Sequence, residues 1–293
     1  MATRTGRGST ARGRRTKQRA AWRGAVLVLL AVVLVVVAVV AVTNALSRNT
    51  PLITEECTVV NGSSTYRLQP EQAANAALIS AIAVRRNLPP RAASIAIATA
   101  LQESKLQNIE HGDMDSIGLF QQRPSQGWGT AEQILDPAYA TNAFYNHLVA
   151  IPDYQSMPIT EAAQRVQLSA YPEAYAQHEP VARSFASALT GQSPASLTCT
   201  LRPTSSNATP AGVIEAANAV FGQRQVSAEG ATAVIDGTGT DGWAVAQWAV
   251  ATASAHQVTA VEFDGQRWER ARGTWQPSAG ASNRRVRITV AQS

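Results

Sequence analysis

From Gly24 to Ser47 no residue is charged, and Ala25–Val42 is eighteen consecutive Ala, Val and Leu. At about 1.5 Å per residue such a span crosses a hydrocarbon core of roughly 30 Å, so 24–47 is predicted to be a transmembrane helix. A cleaved leader would carry a shorter apolar region, roughly 7–15 residues, ending in a small-x-small site. Thr43-Asn44-Ala45 is a poor match to such a site. Residues 48–69 then read as a polar juxtamembrane stretch. Beyond them helical spacing sets in. Pro70 opens an Ala/Ile-rich run to Asn87, which Leu88-Pro89-Pro90 breaks. A second helix is predicted from about Arg91 to Lys105, and 106–129, rich in Gly, Asp, Pro and Gln, reads as a structured loop. Helices follow near 130–135, 137–150, 160–170 and 173–190, with Gly191 as terminator. The Ser/Pro/Thr-rich stretch 192–210 reads as a linker. After it the pattern changes to a helix near 211–221, a strand over 231–235, a helix over 242–256, and alternating strands at 258–263 and 285–290.

These patterns predict one N-terminal transmembrane helix, a mainly α domain over 57–199, and a small α+β domain over 211–293. Charge sets the orientation. Residues 1–23 hold eight bases and no acid, so the remainder is net negative although the whole chain is +5. Arg and Lys resist translocation, which keeps 1–23 cytoplasmic and places the folded part outside. The expectation is therefore a single-pass cell-membrane protein whose globular part meets no nucleic acid. Cys57 and Cys199 bracket the helical unit in an oxidising space, and a bridge between them is expected. The four histidines and two cysteines show no metal-ligand spacing, so neither metal nor cofactor is expected. Trp243, Trp248 and Trp268 read as core of the last domain, with exposed glycan-binding aromatics as the alternative.

The helix before Glu103 carries the most information. Ala92–Leu101 has no charge at all, which marks a helix buried on most faces. Gln102-Glu103-Ser104 follows at its C-terminal end. Burial and the helix dipole both disfavour a charged carboxylate there, the setting of a general acid. The alternative is a surface Glu paired with Lys105. The loop beyond holds Ser116-Ile117-Gly118-Leu119-Phe120-Gln121-Gln122. Its Gly allows close backbone approach, and its amides can hydrogen-bond sugar hydroxyls and N-acetyl groups.

Ala100-Leu101-Gln102-Glu103-Ser104, followed fifteen residues after Glu103 by Gly118-Leu119-Phe120-Gln121, resembles the pattern of lytic transglycosylases and goose-type lysozymes. The resemblance covers about residues 70–190. It implies a lysozyme-like fold acting on peptidoglycan glycan strands, with Glu103 as catalytic acid and base. It also implies that Ser104 and Gly118, Leu119, Phe120 and Gln121 line the glycan cleft. The run Gln121–Gly129 is similar to a group of membrane-anchored actinobacterial wall proteins, and Trp128 within it is a candidate for stacking on a sugar ring. The family's later Ala-Tyr-Asn is met by Ala170-Tyr171-Pro172, which makes Tyr171 a further cleft candidate, with Pro in place of Asn. A lytic transglycosylase needs one carboxylate, because the sugar's own C6 hydroxyl closes on the anomeric carbon. A hydrolase needs a second, and Asp113 and Asp115 are the nearby candidates. The enzyme reading stands beside a non-catalytic alternative, a glycan-binding wall scaffold of the same fold.

Overall fold

The computed structural model describes residues 29–43, 53–167 and 172–292. The chain divides into two units, 1–52 and 53–293. In the first, a helix α1 covers 29–43. These fifteen described residues cover about 22 Å at the usual rise. No helix among the described residues is long and apolar enough to cross a membrane. The predicted transmembrane helix over 24–47 and the single-pass placement at the cell membrane are corrected accordingly. Apolar composition alone gave the longer span, whereas crossing depends on continuous helix length. The basic tail 1–23 and both ends of the predicted span lie outside the described residues.

The second unit also departs from expectation. A mainly α domain trailed by a separate α+β module is replaced by one compact body holding two antiparallel sheets. The stretch read as juxtamembrane is a hairpin, β1 (Glu56–Asn61) and β2 (Ser64–Leu68). Cys57 and Val59 point inward, and the turn uses Gly62 at φ 60°. The stretch read as a linker contains β3 (Leu197–Thr200), which pairs with the other edge of β1. Cys57 and Cys199 face each other in that pairing and form the expected disulfide.

Local signals explain the helices. α2 (Pro70–Arg85) starts with Pro70 and a reciprocal Gln69–Gln72 capping box. α3 (Pro90–Ser104) starts at Pro90 and is buried continuously from Ala92 to Ala100. It is packed among α2, α5 (Pro137–Val149), α6 (Ile159–Gln167) and α7 (Glu179–Leu189). The short α4 (Ala131–Leu135) carries its own Thr130–Gln133 capping box. A 3-10 segment, Pro172–His178, leads into α7. Gly191, expected as terminator, sits just past α7 at φ 77°.

α8 (Pro210–Phe221) and α9 (Gly239–Ala251) pack on the larger sheet. That sheet has the order β4-β5-β9-β6-β7-β8. Its strands are β4 (Val226–Glu229), β5 (Thr232–Asp236), β6 (Val258–Phe263), β7 (Gln266–Glu269), β8 (Thr274–Pro277) and β9 (Arg285–Val290). α9 is the keystone of the merger. It packs on β6 and β9 and also on α2 and α7. Its Gln247, fully buried, donates to the carbonyls of Ala188 and Ser193 and accepts from the backbone of Ser196 and Leu197. One buried amide thus satisfies the end of α7 and the entry to β3 together. Buried Arg270 does similar work, donating to the carbonyls of Arg202, Ala253 and Val258. Trp243, Trp248 and Trp268 are buried core side chains.

Candidate functional site

Glu103 lies in the last turn of α3, half-buried. The helix ends on two successive non-glycine residues in the left-handed region, Lys105 at φ 57° and Leu106 at φ 58°. Left-handed backbone costs roughly 1–2 kcal/mol per non-glycine residue. The conformation lets Leu106 N–H return to the Ala100 carbonyl at 2.9 Å and seats the Leu106 side chain in the core. The chain is thereby turned back across the end of α3. Met114 and Gln121 in the following loop share the left-handed region. Strain of this kind collects where surrounding structure dictates a geometry.

Ser104 binds that loop to the helix. Its buried hydroxyl lies 3.1 Å from the Ala100 carbonyl and 2.7 Å from that of Leu119. The Phe120 carbonyl accepts from Gln167 at the end of α6. Gly118 is needed for packing, since a Cβ there would stand 2.7 Å from the Ile134 carbonyl of α4. The side chains of Leu119 and Phe120 are fully buried, Phe120 stacking on Phe144 at 4.7 Å. Of the four residues Gly118–Gln121, only Gln121 keeps part of its side chain at the surface. Its amide folds back, with Nε2 3.3 Å from the Gly118 carbonyl and 3.4 Å from that of His111.

Among the described residues, the one that reaches the Glu103 carboxylate is Tyr175, which sequence reasoning missed. Its hydroxyl donates to Glu103 Oε1 at 2.6 Å, and its ring is fully buried in the Pro172–His178 segment. The contact engages one of the two carboxylate oxygens. A signal existed in Ala174-Tyr175, a second Ala-Tyr pair four residues after Ala170-Tyr171. Tyr171 itself lies outside the described residues. The ion pair of Glu103 with Lys105, an alternative left open by the sequence, is absent among the described residues.

The other predicted residues have partners of their own. Asp115 is held by Arg123 Nε at 2.7 Å and by the Ser125 amide and hydroxyl at 2.8 and 2.9 Å. Those bonds, Arg123 foremost, hold its carboxyl well below the ordinary range. Asp113 is exposed, and its carbonyl accepts from the Ser116 amide. Trp128 packs on His147, ring centres 4.2 Å apart, while its carbonyl accepts from Tyr139. Among the described residues no group of three or more His, Cys, Asp or Glu side chains is placed to hold a metal ion.

The geometry therefore unites Glu103, Ser104, the Leu119 backbone and Tyr175. Such a group can donate a proton from one carboxyl oxygen and take it back. No protein-family model and no curated protein matches this chain.

Proposed function

We propose that this protein is a glycosidase that cleaves peptidoglycan glycan strands, with Glu103 acting alone as acid and base in the manner of a lytic transglycosylase. One observation carries the reading. Glu103, at the end of a buried helix, has its carboxylate fixed through one oxygen by buried Tyr175. The resemblance of Ala100–Ser104 and Gly118–Gln121 to the transglycosylase pattern supplies the substrate class.

Glu103 Oε2 donates its proton to the glycosidic oxygen as the bond from that oxygen to the anomeric carbon breaks. The leaving sugar departs as an alcohol. The carboxylate then takes the proton of the C6 hydroxyl, whose oxygen bonds the anomeric carbon and gives a 1,6-anhydro sugar. The proton is back on Glu103, and no water has been consumed. The hydrolytic route would need a second carboxylate to activate water. Asp115 is already committed to Arg123 and Ser125, which favours the route with one carboxylate.

The test is digestion of purified sacculi by the full chain, with mass analysis of the products. Anhydro-muropeptides are expected. Glu103→Gln keeps the shape and cannot transfer the proton, so activity should fall by about 10²–10⁴-fold, the usual worth of general acid–base catalysis. Reducing ends would assign hydrolysis instead. Retained glycan binding without any cleavage would replace the enzyme by a glycan-binding scaffold.

A further inference from the structure

Gln102 precedes Glu103, and the Pro172–His178 segment determines which way its amide is turned. The Gln177 side-chain nitrogen lies 3.1 Å from the Ala174 carbonyl and 3.2 Å from Gln102. A carbonyl only accepts, so Gln177 presents Nε2 to both, and the Gln102 atom it meets is Oε1. His178 Nε2 lies 3.1 Å from the same Oε1. That ring nitrogen therefore carries a hydrogen. Burial lowers the His178 pKa below the ordinary histidine value, which favours the neutral ring, and the contact with Oε1 selects the tautomer protonated at Nε2. Both lone pairs of Gln102 Oε1 are then used. Its Nε2, on the opposite arm of the amide, keeps two N–H donors that meet no partner among the described residues. Gln102 is partly exposed. Pinning an amide that water could serve costs side-chain entropy for little stability. What the pinning does achieve is a fixed donor direction one residue from the acid.

We propose that Gln102 Nε2 is a preorganised hydrogen-bond donor to the acetamido carbonyl of an N-acetyl sugar lying beside Glu103. This assignment rests on the glycosidase reading above. The NH2 group donates and cannot accept, so it requires an acceptor, and a carbonyl oxygen, which only accepts, fits that requirement better than a hydroxyl. Successive side chains leave an α-helix about 100° apart. Gln102 and Glu103 therefore address neighbouring groups of one strand rather than the same bond.

Gln102→Glu keeps an oxygen for Gln177 and His178 and removes both N–H donors. Gln102→Met removes the donors without adding charge. Each is made in the full chain carrying Glu103→Gln, so that the strand is not consumed. Binding is measured by calorimetry on peptide-free glycan strands, native and chemically de-N-acetylated, with thermal melting to confirm folding. On native strands both variants should bind about five- to tenfold more weakly, the worth of one neutral hydrogen bond. On de-N-acetylated strands neither should weaken by more than about twofold. Equal weakening on both glycans, or none on native strands, overturns the Gln102 assignment alone when the parent protein binds. Failure of the parent to bind either glycan overturns it together with the glycosidase reading.

Discussion

Removing the Cys57–Cys199 bridge should cost the folded unit about 5 kcal/mol. The two cysteines are 142 residues apart in sequence. In the chain-entropy model, a loop of that length restricts the unfolded ensemble by about this amount. On the native side both sulfurs are buried, and the bridge joins directly opposed residues of β1 and β3. No new surface is exposed by cutting it, so the entropy term dominates. For a unit of this size 1 kcal/mol shifts the thermal midpoint by about 2 °C, so the fall should be about 10 °C. The assay is calorimetric melting of the wild type and of Cys57→Ala/Cys199→Ala, each with and without reductant. Reductant should lower the wild type to the level of the double variant and leave the variant unchanged. A fall under about 3 °C would refute the reasoning, because it would mean that the unfolded chain is already restricted. Two thiols labelled in the native protein without reductant would refute the bridge itself.

Tyr175→Phe removes the hydroxyl that holds Glu103 Oε1. Cleavage of glycan strands should fall by about tenfold, the equivalent of roughly 1.4 kcal/mol, with melting little changed. Unaltered kinetics would take Tyr175 out of the site. Gly191→Ala combines a left-handed backbone with a Cβ placed 1.8 Å from the Thr240 carbonyl. It should destabilise by about 2–4 kcal/mol in denaturant titration, and a neutral result would mean that α7 and α9 do not meet as described. His256 packs against Trp248, and burial lowers its pKa below 6.5. The unfolded chain therefore takes up its proton first. The stability from keeping His256 neutral is complete above about pH 6.5 and is lost as pH falls below it. His256→Gln should flatten the decline of the midpoint between pH 7 and pH 5, and an unchanged slope would exclude this origin.

Much of the helical layout was legible in the sequence because its signals are local. Proline at the first turn of α2, α3, α5 and α8, and glycine after α7, place those boundaries without any tertiary partner. Uncharged Ala92–Leu101 announced the central helix for a similar reason, since no residue in it tolerates only solvent. Glu103-Ser104 and the Gly118 segment were legible together. The Ser104–Leu119 tie accounts for the closeness of the two segments, and it spans only fifteen residues.

What the sequence left undecided depends on pairing over long separations. Gly62-Ser63 is a hairpin signal, but the apolar run before it led 48–69 to be read as a juxtamembrane stretch. The residues of β3 have the composition of a linker. They become a strand because β1 offers them an edge and Gln247 accepts from their first amides. On sequence alone Ala170-Tyr171 was taken and Ala174-Tyr175 passed over, and the fold brings Tyr175 to Glu103 across 72 residues. Composition reports how apolar a segment is, whereas whether a helix spans, a strand pairs or a hydroxyl meets a carboxylate depends on which partner the folded chain sets beside it.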